Sequence, residues 1–288
     1  VAFGAKRGLD ASSTLPEHQW YSASHDWIHL TQYCRTWSGE RQYMCVDTFS
    51  HSRKFERAFQ KLGFAATSFD VKNSDDQDIT SPSGFRLLLD MILQTLDGAF
   101  LPVAPPCSLY VGISQGTHKR SAVDLLGDIS LKCVRLSNLI LANTATLLML
   151  AFWWRPTLRI MVEQPMTSWL FKQEASKDFI NIWDLKRYLT HLGIFGHDLL
   201  KSTHLYSNMA TLSAVVRKAT KAVRAKHRNR MERKIERAKA QGKYVKVYYV
   251  KNDKGFHGGP DLASSASYPA KFVSAVVMCW QNQHEGKE

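Results

Sequence analysis

The sequence predicts an α/β fold built on a parallel sheet, and three observations predict it. Between Tyr43 and Val103 short apolar runs alternate with amphipathic segments of helical period, in the order strand, helix, strand, helix, strand. The runs end at residues that stop a strand: Asp47, Asp70 and the Pro105-Pro106 pair. The chain has 288 residues, 44% hydrophobic and 22% charged, which suffices for a full core and excludes wholesale disorder. One α/β domain with an appendage, or two unequal domains, both fit that length.

Residues 1–43 show no clean period. Trp20, Trp27, Ile28, Leu30 and Trp37 are apolar anchors for a segment packed onto the main domain. His25 and His29 would share one helix face, but the intervening residues make no metal-binding motif, so no metal is expected. The main domain, residues 44–210, begins with a short buried strand from Tyr43 to Phe49. Phe55, Ala58, Phe59 and Leu62 then recur at helical spacing, and Gly63 ends that helix. Phe64 to Val71 reads as a second strand, Asn73 to Ser83 as a polar loop, Phe85 to Leu96 as a helix, and Gly98 to Val103 as a third strand.

Nineteen uncharged residues lie between Arg135 and Arg155, the length of a membrane span. Ser137, Asn138, Asn143, Thr144 and Thr146 interrupt the run, so a buried helix of an α/β domain is the simpler account and no membrane is expected. Leu158 to Val162 follows as a strand ending in Glu163-Gln164-Pro165. Helical patches are expected around Ile180 to Leu192. Residues 211–288 form a basic appendage: a helix with a narrow apolar stripe from Leu212 to Ala238, a strand from Tyr244 to Val250, a turn at Asn252 to Gly255, and a last helix from Tyr268-Pro269 to Trp280.

Charge and cysteine usage narrow the partners. Net charge is +13, and between Val215 and Ala240 eleven Lys or Arg face only Glu232 and Glu236. Such a run repels itself without a polyanion, so nucleic acid is expected at Arg217, Lys218, Lys221, Arg224, Arg228 and Arg230, with a membrane or an acidic protein surface as the alternatives. The cysteines, Cys34, Cys45, Cys107, Cys133 and Cys279, are odd in number, widely spaced and without a CxxC pair. Neither a disulfide framework nor a zinc ribbon is suggested, and a reducing intracellular compartment is expected. The chain starts at Val1, so its start is read as processed or truncated and any targeting peptide as gone.

The stretch Leu101 to Ser108, LPVAPPCS, carries an apolar run into two prolines and a lone cysteine. A strand that ends in a stiff turn presents the next side chain at the carboxyl edge of a sheet, where open α/β folds place their chemistry. Cys107 is therefore a candidate nucleophile; the plainer reading is a small buried hydrophobe. Asp47 and Asp70 have a plain reading too, as helix caps or strand terminators.

Together these motifs resemble the S-adenosylmethionine-dependent methyltransferase fold, and more narrowly the DNA cytosine methyltransferases that modify ring carbon 5. VDTFS at 46–50 matches the first strand and turn, SFD at 68–70 the end of the second strand, QDIT at 77–80 the adenine-amino motif, PPCS the nucleophile motif and VEQP at 162–165 the base-holding motif. The resemblance implies a Rossmann-like methyltransferase sheet with helices on both faces, plus a small basic helix-and-strand appendage. It implies Cys107 and Glu163 as catalytic residues, and Asp47, Phe49, Phe69, Asp70, Asp78 and Pro105 around S-adenosylmethionine. The chain departs from the family at the turn after the first strand, where His51, Arg53 and Lys54 replace the glycines that admit the cofactor. Two functions follow as expectations: a methyltransferase acting on nucleic acid, or an inactive methyltransferase-fold protein that binds nucleic acid or serves as a structural subunit of a larger assembly.

Overall fold

The computed structural model describes residues 15–252 and 255–286. The first fourteen residues of the N-terminal segment, and the middle of the turn expected at Asn252 to Gly255, lie outside the described residues. In order, the elements are α1 (Trp27–Thr36), β1 (Tyr43–Thr48), α2 (Lys54–Lys61), β2 (Ala66–Phe69), α3 (Pro82–Leu93), β3 (Thr95–Val103), α4 (Gln115–His118) and α5 (Lys132–Trp154). Then come β4 (Arg159–Pro165), α6 (Glu174–Ile182), β5 (Lys186–His191), β6 (Ser202–Ser207), α7 (Lys221–Ala240), β7 (Tyr249–Asn252), β8 (Gly255–Gly258) and α8 (Ala270–His284).

The fold is α/β, with one six-stranded sheet in the order β2-β1-β3-β4-β6-β5. The strands β1 to β4 run parallel, whereas β6 is antiparallel to both β4 and β5. The sheet is therefore mixed rather than parallel throughout, and is compatible with a Rossmann-like fold. From β1 the chain steps to one side for β2, then crosses back past β1 to β3. Right-handed crossovers place the helices of these opposite steps on opposite faces. Accordingly α2 packs with α8, and α3 packs with α5, which packs with α6. The reversal puts a switch point between β1 and β3, and the crevice outside their carboxyl ends is where such sheets bind ligands.

Local chemistry sets the element ends. Ser81 caps α3, accepting from the Gly84 amide at 2.9 Å, with Pro82 at the first helical position. A side chain at Gly84 would collide with the Asp78 carbonyl, at 2.1 Å, so glycine lets the 78–81 turn lie on the helix. The helix α5 is the one among the described residues long and apolar enough to cross a membrane, and 67% of its most apolar window is buried inside the fold. Its Asn143 donates to the Tyr21 and Ile79 carbonyls and accepts from the Ala23 amide, tying the N-terminal segment and the 78–81 turn to the core.

Several expected elements are corrected. Of the helical patches expected around Ile180 to Leu192, α6 keeps the chain helical only to Ile182, because Asp184 takes a left-handed backbone (φ 47°) and Lys186–His191 pairs as β5. The strand β6 was not expected. Of the expected Tyr244 to Val250 strand, only Tyr249–Val250 enters a ladder, as the start of β7. The basic helix begins at Lys221 rather than Leu212, and none of its residues is buried. Its apolar stripe, Val223, Met231, Ile235 and Ala238, is only half-covered.

Candidate functional site

Register brings the two expected catalytic residues to one edge. Val103, the last residue of β3, pairs with Val162 of β4, so Glu163 stands level with the start of the Ala104-Pro105-Pro106 turn. Gln164 fixes that turn: its side-chain amide donates to the Pro105 carbonyl at 2.6 Å and accepts from the Ser168 hydroxyl at 2.9 Å. The Thr48 hydroxyl donates to the Pro102 carbonyl at 2.7 Å, which ties β1 to the same end of β3. Cys107 follows half-buried, its carbonyl accepting from the Tyr110 amide at 2.9 Å.

The Glu163 carboxylate is 6% exposed. One oxygen, Oε2, accepts from the Tyr268 phenol at 3.2 Å. The other, Oε1, lies 3.6 Å from the Lys201 ammonium and has no hydrogen-bond donor. Lys201 comes from the turn before β6; since Thr203 pairs with Pro165, that turn stands at the same sheet edge. Burial raises the Cys107 thiol above its ordinary pKa, Lys201 pulls it back down, and Glu163 raises it further. Tyr249, 45% exposed on β7, feels the charges of both Lys201 and Cys107 and so stands at the rim of this cluster.

No protein-family model matches the chain, and no curated protein matches it.

The residues expected around a cofactor divide into two groups. At the turn after β1, Asp47 is 1% exposed and accepts from the Phe55 amide at 3.0 Å, capping α2. Phe49 and Arg53 hold left-handed backbones, φ 57° and 50°, so this turn keeps glycine-like geometry at positions without glycine. Arg53 folds back onto Glu56 in a two-pronged ion pair, and Lys54 donates to the Tyr268 carbonyl. His51 is exposed. At the end of β2, Phe69 is 1% exposed and its carbonyl accepts from the Phe49 amide at 2.7 Å. The Asp70 carboxylate accepts from the Lys72 amide in a local turn. Asp78 is 4% exposed; its Oδ1 accepts twice from Thr80, and its Oδ2 is buried without a donor.

Five buried side-chain polar atoms lack a hydrogen-bond partner among the described residues, and two of them are Glu163 Oε1 and Asp78 Oδ2. A buried acceptor without a donor costs about 1–3 kcal/mol, so each demands a reason. Sequence reasoning singled out both carboxylates but missed Lys201, Tyr268 and Tyr249. The signal for Lys201 was the strand it precedes, whose polar composition hid it.

The basic candidates stand elsewhere. Arg217, Lys218, Lys221, Arg224, Arg228 and Arg230 are all exposed. The helix α7 touches the rest of the fold at the 196–201 turn: Arg230 donates to the His197 carbonyl at 2.7 Å, and Lys234 pairs with Asp198 at 2.6 Å. His25 and His29 are exposed, and no cluster of three metal-ligating side chains occurs among the described residues.

Proposed function

We propose that this chain is a methyltransferase-like protein of Rossmann-like fold that acts on nucleic acid by cytosine carbon-5 chemistry. The observation that carries the reading is the register that sets Cys107 and Glu163 at one sheet edge, with Glu163 Oε1 buried and lacking a hydrogen-bond donor. Carbon 5 of cytosine is a poor nucleophile until a thiolate adds at carbon 6 and leaves an enamine. Cys107 supplies that thiolate, and once carbon 5 carries the methyl group, loss of its proton to a base re-forms the ring double bond and expels the sulfur from carbon 6. Glu163 accepts from the exocyclic amine through Oε1 and steadies the ring as charge develops. The base must leave the duplex to reach either group, and Tyr249 at the rim offers a ring for it to stack on. The exposed cations of α7, which grips the 196–201 turn that carries Lys201, hold the phosphates.

S-adenosylmethionine fits at its adenine end: Asp78 Oδ2 is a buried acceptor awaiting a donor such as the adenine amine, and the preceding Gln77 accepts from the Asp70 amide at the end of β2 at 2.8 Å. When bound it supplies the electrophilic methyl group. Asp78 would hold the adenine, and Asp47, Phe49 and Pro105 would line the crevice at the switch point. The test is covalent trapping on an oligonucleotide carrying 5-fluorocytosine in the presence of the cofactor. Trapping is expected, with loss in Cys107→Ala; no trapping, or trapping that survives the substitution, overturns the reading.

One observation favours a second reading, an inactive binding or structural protein. Tyr268 is 6% exposed and buried among Phe55, Asp47 and Glu163, while Lys54 grips its carbonyl. The methionine end of the crevice is thus closed by the chain itself. Calorimetry separates the readings: binding of S-adenosylmethionine that weakens in Asp78→Ala supports the enzyme, and absence of heat supports the second.

A further inference from the structure

We propose that Lys201 is the positioning residue of the nucleophile: its ammonium, held against the Glu163 carboxylate, stabilises the anionic form of the Cys107 sulfur. The inference rests on Cys107 as the nucleophile and adds the group that makes it one. A half-buried thiol beside a buried carboxylate is held in its neutral, unreactive form by burial and by like charge. Lys201 opposes both: strand register sets its turn at the same sheet edge as the Cys107 turn, its ammonium stands 3.6 Å from Glu163 Oε1, and its side chain, 14% exposed, is little screened by water.

The backbone is built around this placement. Lys201 holds a left-handed conformation, φ 35°, which a residue with a side chain adopts only where its surroundings impose it. Its carbonyl accepts from the Leu192 amide and the Thr203 hydroxyl, both at 3.1 Å, so the strain is locked from two sides. The titratable groups that face Cys107 are Glu163 from β4, Lys201 before β6, Tyr249 from β7 and Tyr268 before α8, with Asp47 of β1 behind Tyr268. Lys201 is the cation among them. The same turn carries His197 and Asp198, which α7 grips through Arg230 and Lys234.

The experiment is the pH profile of Cys107 alkylation by iodoacetamide, read on the Cys107 peptide by mass spectrometry so that the other cysteines do not contribute. Lys201→Gln is expected to raise the midpoint by about one pH unit, slowing alkylation about tenfold below it, because reactivity follows the thiolate fraction. Lys201→Arg keeps the rate within about threefold, since the charge remains. Glu163→Gln lowers the midpoint. An unchanged midpoint in folded Lys201→Gln overturns the assignment. Where that variant does not fold, a Glu163→Gln midpoint that stays or rises overturns it instead. The two proposals fail separately. Shifted profiles without trapping on 5-fluorocytosine sink base methylation and leave Lys201 in its role; trapping with unshifted profiles sinks only the role of Lys201.

Discussion

Asp47 carries two demands that pull against each other. It caps α2 through the Phe55 amide, yet burial drives its pKa from 3.8 up to about 7. An acid whose native pKa is raised takes up a proton on folding. Its contribution is therefore complete below about pH 4 and is lost as pH rises through 7. The midpoint of urea unfolding is expected to fall between pH 4 and pH 7, and Asp47→Asn, which keeps the accepting oxygen, should flatten that slope. A flat profile in the unaltered protein would remove the raised pKa. Gln164 poses a simpler test. Its amide holds the Pro105 turn and is fully buried, so Gln164→Ala should cost about 1–3 kcal/mol in urea unfolding. Cys107 and Glu163 were legible because proline punctuates both motifs, and proline fixes backbone regardless of context. Lys201 and Tyr268 were not. Each reaches the cluster from a distant part of the chain, and nothing local marks that arrival.

The elements that the sequence concealed share one property: polar residues occupy their buried positions. On β6 the buried side is Thr203, Leu205 and Ser207, and the Ser207 hydroxyl donates to the Ile160 carbonyl at 2.5 Å. Alternation in hydrophobicity disappears when a hydroxyl finds a carbonyl across the sheet. The loop after Cys107 shows the same economy on a larger scale. Arg120, fully buried, donates to the carbonyls of Leu109, Leu125 and Leu126 and to the side chains of Ser137 and Asn138. Arg120→Met strands those acceptors and should destabilise by about 3 kcal/mol or more, measured by thermal and urea unfolding. The helix α7 behaves differently because nothing in it is buried. Replacing Arg224 and Arg228 by Gln should leave stability within about 0.5 kcal/mol. It should lower the slope of log affinity for duplex DNA against log salt by about two. An unchanged slope in fluorescence anisotropy would remove phosphate contact from this helix.

At the scale of the molecule, the α/β class and the strand-helix alternation through β3 were readable, since short apolar runs there alternate with segments of helical period. The mixed character of the sheet was not. Strand direction is set by how β6 returns between β4 and β5, a matter of connection rather than composition. Closure of the core is equally non-local. Trp280 of α8 is 1% exposed, lies 4.6 Å from Phe59 of α2 and donates from its indole to the Gly98 carbonyl at 2.8 Å. Trp280→Ala should cost about 3–5 kcal/mol, whereas Trp280→Phe should cost far less. Equal losses in the two variants would show that the indole hydrogen bond, rather than ring volume, closes this face.

That arrangement governs how the chain must be made. Phe55 and Phe59 leave the ribosome long before their cover, which arrives only with α8, so a nascent chain carries this greasy strip wet while everything between them is made. Slow translation through the middle of the message lengthens that exposure. A chaperone that binds apolar segments should therefore capture chains stalled before Ala270 and release those extended past His284.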